Sequence, residues 1–206
     1  MANTGLLVLT NLAKIKGLQF VIQKHVLKTL YIQYLPGKKI SGNYNSTTLQ
    51  QREPEYFKRI TDIYKNTSTI ASRLDVRVLL TNFKYPDRSI INTKKPVEVV
   101  IFDQKCSKEE ADTFIQGHLA NKSLNYRFVN IYGLNLYGLS IKSPDLNHCK
   151  NAESDVQNAK IYKNVILGGT FDRLHNGHKI LLSEAALRCT ERLTVGVTDA
   201  NMITSN

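Results

Sequence analysis

A chain of 206 residues has room for one large or two small domains, each able to bury a core. Its 42 % hydrophobic and 22 % charged content is ordinary for a globular protein, and no apolar run approaches the ~18 residues of a membrane-spanning helix. The net charge of +11 favours anionic partners, but no basic run is interleaved with stacking aromatics, so a nucleic-acid partner is not expected.

The charge is uneven from the start of the chain. Met1 to Arg52 holds Lys14, Lys16, Lys24, Lys28, Lys38, Lys39 and Arg52 but no Asp or Glu. Three readings of this segment stay open: a mitochondrial targeting segment, a patch drawn to an anionic membrane surface, or a solvated face of a folded domain. Its use of Lys instead of Arg and Ser, and its strand-like opening Gly5-Leu-Leu-Val-Leu-Thr10, favour the solvated face. The most apolar early stretch, Leu18 to Leu35, is interrupted by Lys24 and Lys28, which excludes a span.

After the strand Gly5 to Thr10, the pattern predicts a helix from about Leu12 to Lys28 and a strand from Thr29 to Leu35, stopped by Pro36-Gly37. Lys38 to Arg52 reads as a loop. Pro54 suits a first helical turn, and Tyr56, Ile60, Ile63 and Tyr64 recur at helical spacing. Val76 to Thr81 and Val97 to Phe102 are continuous apolar runs, expected of strands buried on both faces, with a loop from Tyr85 to Pro96 between them. Ser107-x-x-Glu110 is a capping box opening a helix to about Ala120, and Arg127 to Tyr132 is a further strand candidate. Strands separated by helices predict an α/β domain with a largely parallel sheet.

Lys142 to Lys160 carries Pro144, several Asn, Ser and acids, and hardly any large apolar residue, the composition of a linker. A second unit follows: strand Val165 to Leu167, a glycine turn, helix Asn176 to Thr190 and strand Leu193 to Val197. Ile180, Leu181, Ala185 and Leu187 supply the helix with an apolar face. The organisation is thus 1–141, an α/β domain; 142–160, a polar linker; and 161–206, one βαβ unit, whose sheet edge and one helix face are expected to be uncovered. Cys106, Cys149 and Cys189 are odd in number and widely spaced, without zinc-ligand spacing. They read as reduced thiols of an intracellular protein, cytoplasmic or mitochondrial.

Chemistry concentrates at the start of the second unit. Gly168-Gly169-Thr170 leaves a strand at its carboxyl end, where α/β sheets place ligands. Glycines there allow a backbone to approach a phosphate and permit positive φ, and Thr170 adds a hydroxyl. His175 and His178, spaced i and i+3 at a helix start, share one face of the first turn. Free N–H groups and the positive end of the helix dipole point the same way, and Gly177 removes a side chain from a ligand's path. This is apparatus for stabilising charge on a phosphoryl group in transfer. Asp172 is expected to fix the turn. Lys179 is read as a solvated helix residue, and His25, His118 and His148 as surface.

Gly168 to Leu182, Gly-Gly-Thr-Phe-Asp-Arg-Leu-His-Asn-Gly-His-Lys-Ile-Leu-Leu, resembles the nucleotidylyltransferase superfamily, specifically phosphopantetheine adenylyltransferases of eukaryotic and archaeal type. Leu193-Thr-Val-Gly-Val-Thr-Asp199 is similar to that family's second strand. Gly5 to Thr10 and Leu74-Asp-Val-Arg-Val-Leu-Leu-Thr-Asn82 resemble the N-terminal region of animal bifunctional coenzyme A synthases. The resemblance implies a Rossmann-like N-terminal domain followed by a partial Rossmann-like nucleotidylyltransferase domain. It also implies the reaction of ATP with 4′-phosphopantetheine to give dephospho-coenzyme A and pyrophosphate, with Mg2+ accompanying ATP and no covalent enzyme intermediate.

By the same resemblance, His178 contacts the α-phosphate and His175 assists at the β- and γ-phosphates. Thr170 binds the acceptor phosphate, and Gly168, Gly169, Gly177 and the Phe171 backbone belong to the nucleotide site. No metal-ligating residue is expected. The family also places a basic residue shortly after the second strand and, later, a Ser/Thr-rich motif ending in Arg. Here no Lys or Arg follows Arg192, so the chain is expected to be an incomplete, weakly active or inactive version. No Gly-x-x-x-x-Gly-Lys-Ser/Thr loop occurs, and dephospho-coenzyme A kinase activity is not expected. Two alternatives remain: a cytidylyltransferase acting on a phospho-alcohol, and a non-catalytic truncated isoform whose N-terminal domain binds a partner or membrane surface.

Overall fold

The computed structural model describes residues 1–36, 53–84, 90–130 and 160–198. The loop at Lys38 to Arg52, residues 85–89 of the second loop, the linker up to residue 159, His148, Cys149 and Asp199 lie outside the described residues.

Strand β1 (Ala2–Leu9) is the centre of a five-stranded, all-parallel sheet. It pairs on one side with β2 (Val26–Tyr34) and on the other with β4 (Val97–Phe102). Edge strands β3 (Asp75–Val78) and β5 (Lys122–Asn130) complete the order β3-β2-β1-β4-β5. The apolar runs serve two faces because successive strand side chains alternate. Leu7, Leu9, Leu30, Ile32, Val99 and Ile101 pack with Leu18 and Ile22 of α1 (Ile15–His25) and Ile60 and Ile63 of α2 (Glu53–Asn66). Leu6, Val8, Tyr31, Val100 and Phe102 pack with Ala111, Phe114 and Ile115 of α5 (Lys108–His118). Helices on both faces of a parallel sheet make this a Rossmann-like α/β arrangement.

Several boundaries differ from the sequence expectation, each for a packing reason. The first helix ends at His25, not Lys28, because Val26 is buried and pairs opposite Ala2 as the first residue of β2. Beyond the short helix α3 (Ser68–Ala71), pairing of β3 with β2 stops at Ile32↔Val78, and Thr81 begins a short helix, α4 (Thr81–Lys84), rather than ending a strand. Strand β5 starts five residues earlier than its apolar run, because Lys122 pairs with Val97 before a register irregularity. The expected capping box is formed: Ser107 Oγ accepts from Glu110 N–H at 3.1 Å, and Glu110 Oε2 accepts from Ser107 N–H at 2.7 Å.

The acid-free segment is part of this core as far as residue 36, since it supplies the central strand, α1 and β2. Lys16, Lys24 and Lys28 lie exposed on it. Lys14 instead donates to the Asp103 carbonyl at 2.7 Å.

Beyond residue 160, β6 (Tyr162–Gly169) and β7 (Cys189–Val197) form a separate two-stranded parallel sheet, joined by α6 (Asn176–Arg188). Both strands are longer than their apolar cores and largely open: Ile166 is 79 % and Val197 64 % exposed. The expected apolar face of α6 is divided. Ala185 is buried, Leu181 is 47 % exposed, and Ile180 and Leu187 pack against the core of the first unit. The expectation of an uncovered helix face is therefore corrected, because the first unit covers it.

Candidate functional site

The turn after β6 is built differently from the glycine turn read in the sequence. Gly168 and Gly169 are the last two residues of the strand, paired with Gly196 and Val197. The left-handed residue is Phe171, with φ 46°. That conformation costs a residue with a β-carbon about 1–2 kcal/mol. Gly169 makes room for it: a β-carbon there would stand 3.0 Å from Phe171 Cε2. Around Gly168 the nearest such contact is 3.9 Å, so its surface is open to a ligand. Thr170 and Asp172 are exposed.

The two histidines are brought together. His175 is the N-cap of α6, with extended backbone, and its Nδ1 accepts from the Gly177 N–H at 3.1 Å. A β-carbon on residue 177 would lie 3.0 Å from His175 Cε1 and 3.1 Å from Nδ1. Gly177 thus admits its own capping imidazole, and its N–H is engaged rather than free as expected. His178 Nδ1 faces the Arg173 carbonyl at 3.2 Å, to which it donates. The two rings stack with centroids 3.9 Å apart, and Phe171 leans on His178 at 4.9 Å.

Those partners fix opposite tautomers of the neutral rings. With Nδ1 accepting, His175 carries its proton on Nε2. With Nδ1 donating, His178 leaves Nε2 to accept, or to donate when the ring is an imidazolium. Both rings stand at the positive end of the α6 dipole, a favourable place for a phosphate. The arrangement can hold phosphoryl oxygens and follow a change of charge on them.

Lys179 is not the solvated residue the sequence implied. Its side chain is 11 % exposed, and Nζ donates to Asp75 Oδ1 and to the Val76 carbonyl, both at 2.8 Å. Arg77 also pairs with Asp75, at 2.7 Å. Burial works to raise the Asp75 carboxyl, but hydrogen bonds and charge from Lys179 and Arg77 outweigh it and hold the group below its ordinary value. Beside it, burial pushes the Tyr64 phenol up, and its oxygen accepts from the Val78 N–H at 3.1 Å. His25 and His118 are half-buried rather than on open surface, and His118 lies against Phe114 with centroids 5.0 Å apart.

Sequence reasoning missed the Arg173 carbonyl, Asn176, Asp75 and Lys84. An Asn in a first helical turn is a signal of local bonding, but Asn176 instead donates across the molecule to the Tyr64 carbonyl at 3.1 Å. No local pattern marks the other three.

The first sheet reverses its strand order between β1 and β4, where such sheets place a ligand crevice. There the buried Asp103 carboxylate accepts from the Thr10 N–H at 2.7 Å, the Thr10 hydroxyl at 2.8 Å and the Asn11 N–H at 3.0 Å. The backbone donors that would meet an anion are occupied by the chain's own carboxylate.

Two family models match the chain. The one described as COASY N-terminal domain covers residues 3–123, and the one described as cytidylyltransferase-like covers residues 166–206. Among curated proteins, the chain is 52 % identical over 44 residues to the phosphopantetheine adenylyltransferase of Pyrococcus furiosus, covering 21 % of this chain and 27 % of that protein. It is 48 % identical over 42 residues to the phosphopantetheine adenylyltransferase of Methanopyrus kandleri, covering 20 % and 26 %. The chain spans about a quarter of the length of these curated relatives.

Proposed function

The chain belongs to the family of COASY N-terminal domains and is a nucleotidylyltransferase-superfamily member of the coenzyme A synthase type, and from that premise we propose that its second unit serves adenylyl transfer from ATP to 4′-phosphopantetheine. The observation that carries this reading is the stacked His175–His178 pair at the start of α6, directly after the open end of β6. A phosphate oxygen of 4′-phosphopantetheine attacks the α-phosphorus of ATP in line. The new P–O bond forms as the bond to the β-phosphate oxygen breaks, and pyrophosphate leaves with dephospho-coenzyme A as the other product.

In this reading His178, as an imidazolium, donates from Nε2 to the α-phosphoryl oxygen whose charge grows in the transition state. His175 donates its Nε2 proton to the β- and γ-phosphates. Thr170 binds the acceptor phosphate, and Gly168 and the Phe171 backbone border the nucleotide. Among the described residues no three His, Cys, Asp or Glu side chains lie together as a metal site. In this reading magnesium accompanies ATP as part of the substrate, and no step here passes through it.

The cytidylyltransferase-like match at residues 166–206 favours one second reading, a CTP-dependent transfer to a phospho-alcohol. Pyrophosphate release from ATP and from CTP, each with 4′-phosphopantetheine, separates the two. Release with ATP that requires 4′-phosphopantetheine supports the proposal, and release with CTP alone overturns it. The exposed Lys16, Lys24 and Lys28, with Phe20 69 % exposed among them, further fit an anionic membrane surface at an intracellular site. Vesicle binding that weakens steeply with salt supports this, and its absence at low salt refutes it.

A further inference from the structure

We infer that the first unit is the positioning platform of the histidine-bearing helix, with Lys179 and Asp75 as its latch; this rests on the adenylyl-transfer reading above. Contacts with the first unit run the length of α6. Asn176 Nδ2 donates to the Tyr64 carbonyl at 3.1 Å, and Lys179 Nζ to Asp75 Oδ1 and the Val76 carbonyl at 2.8 Å each. Ile180 and Leu187 pack against the core containing Ile60, Ile63 and Val76. At the far end Lys84 Nζ, from the first unit, donates to the Ala186 carbonyl at 2.9 Å and the Cys189 carbonyl at 2.6 Å. Two lysines thus cross the boundary in opposite directions, and Lys84 meets the carbonyls at the negative end of the helix dipole.

The placement of these bonds is what makes them positional. Asn176 and Lys179 alternate with His175 and His178 in one turn, so the turn that presents the imidazoles is the turn tied to Tyr64, Asp75 and Val76. On its other side, among the described residues, the helix meets the two strands β6 and β7, which leave Ile166 79 % exposed. Lys179, 11 % exposed, cannot lose Asp75 without leaving a nearly buried ammonium short of its counter-charge. Misplacing a catalytic group by about 1 Å lowers rates by roughly a hundredfold, so a helix held at its first turn matters to turnover as well as to stability.

The test combines steady-state kinetics with ATP and 4′-phosphopantetheine and amide exchange over residues 176–188, in the full protein. Lys179→Met and Asp75→Asn each lower kcat by about tenfold or more while changing KM for ATP far less, and both speed exchange in the first turn of α6. Lys179→Arg, which keeps a charge able to reach Asp75, recovers most of the rate. The double variant Asp75→Asn/Lys179→Met is no slower than the worse single variant, as two halves of one contact require. Unchanged exchange in both variants overturns the latch. Faster exchange with unchanged kcat overturns its positioning role. A wild type without turnover contradicts the adenylyl-transfer reading instead; protection of residues 176–188 that both variants lose then still supports the platform, and unaltered protection overturns it.

Discussion

The two sheets of this chain are made from the same parallel strand–helix–strand unit, yet they differ in what completes them. In the first, β1 has a strand on either side, helices cover both faces, and Leu6, Leu7, Val8 and Leu9 are fully buried. In the second, the described residues form two strands and one helix, and that helix leans on the first unit. Their ligand ends differ in the opposite sense. At the strand-order reversal of the first sheet, Asp103 occupies the loop donors of Thr10 and Asn11, whereas the end of β6 presents Gly168, Thr170 and an imidazole pair to solvent. Among the described residues, the first unit has the buried core and filled loop donors, and the second has the open strand end and the thinner core.

The two units differ most in what a core truncation costs them. Leu7→Ala removes a fully buried side chain between packed helices and should cost about 2–5 kcal/mol in denaturant unfolding. Ile166→Ala, at a residue 79 % exposed, should change stability by no more than about 0.5 kcal/mol. Equal losses from the two would mean that the second sheet is covered as fully as the first.

Glycines sharpen the same contrast. A β-carbon on Gly5 would lie 2.4 Å from Val26 Cγ2 and 3.3 Å from Val99 Cγ1, so Gly5→Ala should destabilise by about 1–3 kcal/mol through overpacking. Gly168→Ala meets nothing closer than 3.9 Å and should leave stability nearly unchanged while weakening ATP binding. Calorimetry of both variants decides this: a Gly5→Ala protein as stable as wild type would show that β1 and β2 are less tightly packed than described.

A smaller effect lies at the boundary between units. The Asp75 carboxyl is held below its ordinary value of 3.8, so its contribution to stability is complete above that pH and is lost as pH falls through the lowered folded value. Lys179 and Arg77 face it, and burial pushes the neighbouring Tyr64 phenol up, so that group stays neutral. Protection of residues 176–188 against amide exchange, taken relative to the intrinsic rate at each pH, should therefore fall below about pH 4 in wild type and not in Asp75→Asn. Identical acid profiles would remove Asp75 from the boundary.

Much of the fold was legible because its signals are local. The apolar run at Val97, the Ser107–Glu110 capping box and the approach of His175 to His178 all follow from local residues, and the run at Val76 does so as far as Val78. What was hidden depends on partners distant in sequence. Lys122 to Tyr126 carry no apolar run, and their strand exists because β4 offers its open edge. Lys179 looks like any helix lysine until Asp75, 104 positions away, is folded beside it. The glycines misled for a related reason: Gly169 and Gly177 make space for the rings of Phe171 and His175, and ring packing is not written in a glycine motif.

Whether the imidazole pair on α6 carries adenylyl transfer is decided by His178→Ala in the full protein. His178 faces its own loop and the site, so amide exchange and unfolding should hardly change. Pyrophosphate release from ATP with 4′-phosphopantetheine should fall by about a hundredfold or more, the scale of losing one transition-state donor. Near-normal release from a folded His178→Ala protein would contradict the claim.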